Sequence, residues 1–221
     1  MIGRRVFLCV VLGTLGGLCA GCMSVRQALG PVLPPPPQNY FSPTLQGPAM
    51  RRVAVLPLFN ERYPGDYLRD VDAAFHGELV KKALFEVVPV SRAQMESLIG
   101  QRQISSVETL PADILGKIHE RFGVDGVMFT DLTQFSPYHA VSIGVRLKLV
   151  DVGTAQIRWA FDYIYDAGNP AVAEAAKRFQ RRNSSDHSPI YSDGGSVLLS
   201  PSLFAKYVAS ETFESLRTPQ N

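Results

Sequence analysis

Residues 141–163 read VSIGVRLKLVDVGTAQIRWAFDY, and apolar side chains occupy every second position on both sides of a short turn. Successive side chains of a β-strand point to opposite faces, so this alternation predicts a long antiparallel hairpin with one buried and one wet face. The turn is residues 151–154. The outward face is predicted to carry the polar side chains of Arg146, Lys148, Arg158 and Asp162. The aromatic side chains of Trp159, Phe161, Tyr163 and Tyr165 are predicted to lie mainly in the core.

The segments around the hairpin alternate between strand and helix patterns. Apolar runs predict strands at residues 53–59, 85–90 and 125–129, and helical spacing predicts helices at 67–85, 91–98, 111–122, 170–182 and from 201 onward. The predicted order is β-α-β-α-α-β-β-β-α-α. This order indicates a single domain of the α/β (α+β) class, with a mixed β-sheet, a long antiparallel hairpin and helices packed on the sheet.

The amino terminus has the composition of an export signal. Arg4 and Arg5 precede an uncharged run over residues 6–20. A run of about 15 residues is shorter than the roughly 20 that a bilayer core requires. It has the size of the apolar region of a signal peptide. The arginine pair fits either general secretion or twin-arginine export.

The end of this signal resembles the lipobox of bacterial lipoproteins. The residues that the signal peptidase would recognise are Leu18, Cys19, Ala20 and Gly21, with cleavage before Cys22. Cys19 stands where the usual leucine would be. Residues 1–21 are therefore predicted to be a lipoprotein signal peptide, and Cys22 to carry the lipid, including palmitate. Cys9 and Cys19 would leave with the signal, so no disulfide and no cysteine-based metal site is expected.

Residues 22–50 are predicted to be a proline-rich tether, and residues 51–221 the globular domain. Four consecutive prolines, at 34–37, favour an extended polyproline spacer. Without Arg4 and Arg5, the 22 basic residues of the chain become 20, equal to its 20 acidic residues. This balance gives no indication of nucleic-acid binding.

The domain has no sequence motif for catalysis or for a cofactor. Neither G-x-S-x-G nor G-x-G-x-x-G occurs. His76 and His119 have no second ligand at a metal-binding spacing and are interpreted as surface or packed histidines. Asp186, His187 and Asp193 share a polar loop before the last helix, and Gly194 with Gly195 is interpreted as a hinge or turn. No metal, no cofactor and no catalytic residue is therefore predicted.

Three segments resemble one family of periplasmic proteins. They are Val53-Ala54-Val55-Leu56-Pro57-Leu58, then Phe122-Gly123-Val124-Asp125-Gly126-Val127, then the run from Leu147 to Thr154. In this order they are similar to the superfamily of the curli secretion-channel subunit, the lipoprotein activators of penicillin-binding proteins and the flagellar outer-membrane O lipoproteins. The resemblance implies an α/β domain without catalysis that acts through protein contacts.

Together these observations predict a lipid-anchored, non-enzymatic cell-envelope protein that binds or positions a cell-wall synthase, a flagellar structure or a transport assembly. Two alternatives stay open: a small-ligand carrier or enzyme with residues 183–195 as a lid, and a self-assembling secretion-type subunit. The lipid anchor is expected to face the periplasm. Met23, in the place where an aspartate would retain the protein at the inner membrane, favours the outer membrane.

Overall fold

A computed structural model describes residues 38–41, 50–63, 65–111, 113–138, 140–183 and 194–216. The chain divides into two units, residues 1–32 and residues 33–221. All described residues belong to the second unit. The lipobox residues lie outside the described residues.

The predicted hairpin forms the middle of a six-stranded mixed sheet. It consists of β5 (Ser142–Asp151) and β6 (Ile157–Asp166), which pair antiparallel with Leu147 opposite Phe161. The other strands are β1 (Gln38–Phe41), β2 (Arg52–Val55), β3 (Glu86–Pro89) and β4 (Gly126–Ser136). The order across the sheet is β1-β6-β5-β4-β2-β3, with β2 parallel to both β3 and β4. The predicted α/β class and mixed sheet are confirmed.

Strand β4 is longer than its apolar run predicts. It continues past Phe129 to Ser136 because it pairs with β5 along its whole length. The register shifts between Leu132 and Gln134, so one residue of β4 bulges out of the ladder. This bulge interrupts the period-two alternation, which is why the sequence predicts only the first half of the strand.

Part of the segment assigned to the tether is a strand. Residues 38–41 form β1, which pairs antiparallel with β6 at the edge of the sheet. The five residues between Pro37 and Pro43 are too few to show a strand period. The sequence therefore gave no signal for this strand.

Five helices in the described residues follow the predicted order. They are α1 (Arg69–Lys82), α2 (Arg92–Ile99), α3 (Ile114–Phe122), α4 (Pro170–Asn183) and α5 (Pro201–Glu214), with short 3-10 turns at Gly65–Leu68 and Gly195–Leu198. Ser91 and Gln94 form a capping box at the start of α2, and Gly100 ends it with a left-handed backbone. Helix α3 begins three residues after Pro111, later than predicted. No helix among the described residues has the length and apolar character needed to cross a bilayer.

The helices cover the two faces of the sheet unequally. Helices α1, α4 and α5 pack on one face, over a core that includes Ile143, Val145 and Trp159. Helices α2 and α3 pack on the other face, over Val127 and Phe129. Trp159, Phe161 and Tyr165 are buried as predicted, while Tyr163 is only partly buried.

Candidate protein-binding face

On the second face of the sheet, β2, β4 and the end of β5 near Val150 are covered, while the rest of β5, β6 and β1 is only partly covered. Helices α2 and α3 contact the first region, and no described helix lies over the second. We call this second region the open face. Its side chains are Tyr40, Arg146, Lys148, Ala160, Asp162 and Ile164.

The register of three strands brings these side chains together. Arg146 lies opposite Asp162, and its Nε donates a hydrogen bond to Asp162 Oδ2 at 2.7 Å. The two side chains are 36% and 39% exposed. An ion pair this exposed contributes little to stability, because water solvates both charges nearly as well. The pair is therefore available as a polar contact at the middle of the open face.

Two apolar side chains lie on either side of this ion pair. Tyr40 on β1 and Ile164 on β6 are each 49% exposed. Ile164 lies opposite Gly144, and a Cβ atom on that glycine would approach Ile164 Cγ1 to 3.1 Å. The side chain of Ile164 therefore lies over the bare backbone of Gly144. Exposed tyrosine and aliphatic groups around a charged pair are typical of a protein interface.

The connection between α2 and α3 forms the border of the open face. Asp131 on β4 is only 4% exposed and accepts hydrogen bonds from the hydroxyl groups of Ser105 and Ser106. The backbone N–H of Ser106 also donates to Asp131, at 2.9 Å. Lys148 Nζ in turn donates to the Ser106 carbonyl oxygen at 2.6 Å. Residues 105 and 106 are thereby fixed over the middle of the sheet.

Two of the four side chains predicted on the wet face are less exposed than expected. Lys148 contacts the covering connection, and Arg158 is 8% exposed and donates to Asp151 Oδ2 at 3.3 Å. The prediction of a uniformly wet face is therefore wrong. For Lys148 the reason is that residues 101–110 have no periodic pattern, so the sequence did not show that they cover a strand.

A cavity of about 610 Å³ lies at the end of the sheet where β2 begins. Two carboxylates line it, and both already accept hydrogen bonds from other groups of the protein. Asp125 Oδ2 accepts hydrogen bonds from the backbone N–H groups of Arg51 and Arg52. Asp151 accepts one from the backbone N–H of Thr154 and one from the guanidinium of Arg158. These bonds give both carboxylates a structural role in holding strand ends and a turn. The lining consists of Met50, Arg51, Gly116, His119, Asp125, Asp151, Val152 and Gly153.

A second exposed cluster is aromatic. Tyr63 and Tyr67 stack with their ring centroids 5.4 Å apart, and Phe135 meets Tyr63 edge-on, also at 5.4 Å. Tyr67 is 52% exposed. The sequence did not indicate this cluster, because Tyr63 lies in a connection and Phe135 in the half of β4 that the apolar run did not predict.

The other residues considered from the sequence form no site within the described part of the chain. Cys22 with residues 18–21, and Asp186, His187 and Asp193, lie outside the described residues. His119 Nδ1 lies 2.9 Å from the Val124 carbonyl oxygen, and His76 is on a different helix. Within the described part of the chain, no group of three His, Cys, Asp or Glu side chains could hold a metal ion.

Of the two interpretations of Gly194 from the sequence, a hinge or a turn, the structure shows a turn, because the residue directly precedes the 3-10 turn Gly195–Leu198. Gly194 is buried, has a φ of 71°, and a Cβ there would lie 2.5 Å from the Lys177 carbonyl oxygen. This backbone contact with α4 fixes the start of the 3-10 turn before α5. The glycine is needed for close packing rather than for flexibility.

Comparison with known proteins finds weak matches to solved structures, among them three from bacteria. No protein-family model and no curated protein matches this chain. The PelC dodecamer of Paraburkholderia phytofirmans has a TM-score of 0.46 and 12% identity, covering 84% of this chain and 99% of that one. Lipoprotein GNA1162 of Neisseria meningitidis has a TM-score of 0.40 and 21% identity. The match covers 63% of this chain and 100% of that one. The LpoB C-terminal domain of Escherichia coli has a TM-score of 0.35 and 15% identity. The match covers 53% of this chain and 84% of that one.

All three identities are below 25% and all three TM-scores are below 0.5. At such values a likeness assigns neither a function nor a partner to this chain.

Proposed function

We propose that this chain is a lipid-anchored, non-enzymatic protein of the bacterial cell envelope, whose α/β domain binds another envelope protein through the open face. The observation that carries the proposal is the placement of Tyr40 and Ile164. Both side chains are about half-exposed, and they flank the Arg146–Asp162 pair on the open face.

The anchor is the second part of the proposal. The lipobox predicts lipid on Cys22, and Met23 favours the outer membrane. Labelling cells with a palmitate analogue should modify the wild-type protein and leave Cys22→Ser unmodified. Fractionation should place the wild-type protein with the outer membrane. Equal labelling of both proteins, or recovery only with the inner membrane, would contradict this part.

Binding through the open face can be tested by site-specific photocrosslinking in cells. A photoreactive amino acid is placed at Tyr40 or at Ile164, and at Leu84 as a control. Leu84 is 42% exposed and lies on the connection between α1 and β3, away from the open face. The proposal predicts one discrete envelope protein crosslinked from positions 40 and 164 and none from position 84.

Two results would contradict the proposal. Equal crosslinking from position 84 would show that the contact is not specific to the open face. Crosslinks only to a second copy of this chain would show that the protein assembles with itself instead.

A further inference from the structure

We infer that strand β1 is a releasable clamp, which sets how far the domain can stand from the membrane. In its paired state β1 joins the start of the domain to the edge of β6. In its released state the same residues lengthen the tether. The inference rests on the proposed anchor at Cys22 for its consequence, although not for its first test.

The ladder between β1 and β6 is short, and the flanking prolines limit the addition of further residue pairs. It joins four residues, from Gln38 opposite Asp162 to Phe41 opposite Trp159. Pro37 precedes it directly and Pro43 follows two positions later. Proline has no backbone N–H to donate, so each one limits further pairing.

Neither side chain of β1 whose exposure is described is buried. The described side chains of β1, Asn39 and Tyr40, are exposed. On β5, by contrast, Ile143, Val145 and Leu147 are completely buried. A short edge strand with exposed side chains belongs to the least stable part of a fold and opens without global unfolding.

Release of β1 would leave the rest of the sheet intact. Strand β2 pairs with β3 and β4 and has no contact with β1, from which it is separated by four strand spacings, or about 19 Å. Residues 42–51 connect the two strands and can span at most about 35 Å when extended. The connection is therefore long enough that β2 does not depend on the pairing of β1.

The position of β1 in the chain gives its release a mechanical consequence. With β1 paired, the tether runs from Cys22 to Gln38 and spans at most about 55 Å. With β1 released, it runs from Cys22 to Arg52 and spans at most about 105 Å. Release of this short strand would therefore nearly double the maximum span of the tether.

Hydrogen exchange of the full chain, purified in mild detergent, tests whether β1 opens. We expect the amides of residues 38–41 to exchange at least on the order of a hundredfold faster than those at the centre of β5. The rate should not depend on protein concentration. Exchange of β1 at the rate of β5 would overturn the inference, and so would a concentration-dependent rate, which would indicate strand exchange between copies.

The double variant Asn39→Pro/Tyr40→Pro tests whether the domain needs β1. Neighbouring N–H groups in a strand point to opposite sides, so one of the two prolines removes a bond to β6. We expect the remaining amides of this segment, those of residues 38 and 41, to exchange like an unpaired chain, and the melting temperature to stay within about 3 °C of wild type. Lys148→Pro, in the central strand β5, is the control and should lower the melting temperature strongly.

A comparable loss of melting temperature in the β1 and β5 variants would overturn the inference. Both measurements work whether or not Cys22 carries lipid. A failure of the clamp is therefore distinguishable from a failure of the proposed anchor.

Discussion

The hydroxyl group of Ser106 donates a 2.6 Å hydrogen bond to Asp131 Oδ2, and this contact fixes the connection between α2 and α3 over the middle of the sheet. Asp131 also accepts bonds from Ser105 Oγ and from the Ser106 backbone. The carboxylate is thus buried with several donors, as a buried charge requires. The same contact marks where the covered part of the sheet ends and the open face begins.

Removal of this carboxylate should destabilise the domain. In Asp131→Ala the buried donors of Ser105 and Ser106 lose their acceptor, so we expect a loss of about 2–4 kcal/mol in the free energy of unfolding. Urea denaturation measures it. Asp162→Ala, which removes a half-exposed carboxylate, should cost no more than about 1 kcal/mol. Equal losses in the two variants would mean that Asp131 does not hold the connection.

Two glycines should respond in opposite directions to alanine. Gly194→Ala places a Cβ 2.5 Å from the Lys177 carbonyl oxygen at a φ of 71°, so we expect a loss of about 2 kcal/mol or more. Gly77 lies in helix α1, and a Cβ there would have no atom within 4 Å. Gly77→Ala should therefore raise the free energy of unfolding by about 0.5–1 kcal/mol. Thermal melting of both variants checks the signs. A tolerated Gly194→Ala would contradict the close packing of this turn on α4.

Glu211 should make stability depend on pH. Burial raises the pKa of this carboxyl above 4.5, against the smaller opposing effect of Arg182. The folded state then binds the proton more tightly than the unfolded chain. Stability therefore decreases as the pH rises from the pKa of the unfolded chain to that of the folded state. Glu211→Gln should therefore melt higher than wild type at pH 7, with the difference shrinking as the pH falls toward 4.5.

Glu174 provides the control with the opposite sign. A hydrogen bond from Lys177 lowers the pKa of this exposed carboxyl, so its stabilising effect is present at neutral pH and is lost in acid. Glu174→Gln should melt slightly lower than wild type at pH 7 and equally at low pH. If Glu211→Gln instead melts lower than wild type at pH 7, the pairing with Arg182 outweighs the cost of burial.

The sequence predicted the fold where periodicity is strong and missed it where pairing depends on distant partners. The alternation in residues 141–163 was sufficient for the central hairpin, and Gly100 and Gly123 correctly ended two helices. Strand β1 and the second half of β4 exist because β6 and β5 supply ladder partners, which no local pattern shows. The sequence predicted Arg146 and Asp162 on an outward face but did not show that Tyr40 joins them, since Tyr40 and Arg146 share a surface only through the sheet register. The lipid site at Cys22 stays a prediction from the lipobox.

The substitution Ile164→Glu should separate binding from folding. The side chain is half-exposed, so a charge there can stay hydrated, and we expect a change of no more than about 1 kcal/mol in stability. Crosslinking from position 40 to the envelope partner should be lost, because a charge would be buried in the interface. Leu84→Glu is the control and should keep the crosslink. Retention of the crosslink in Ile164→Glu would place the interface elsewhere.

The affinity of charge-reversed variants for the crosslinked partner tests the central claim most directly. Titration calorimetry would compare the full chain with Arg146→Asp, with Asp162→Arg and with the exposed control Lys117→Glu on α3. If the open face binds the partner, each reversal on that face should weaken the Kd at least about tenfold, a loss of about 1.4 kcal/mol, while the control binds like wild type. Wild-type affinity in both open-face variants would contradict the claim that this face is the binding surface.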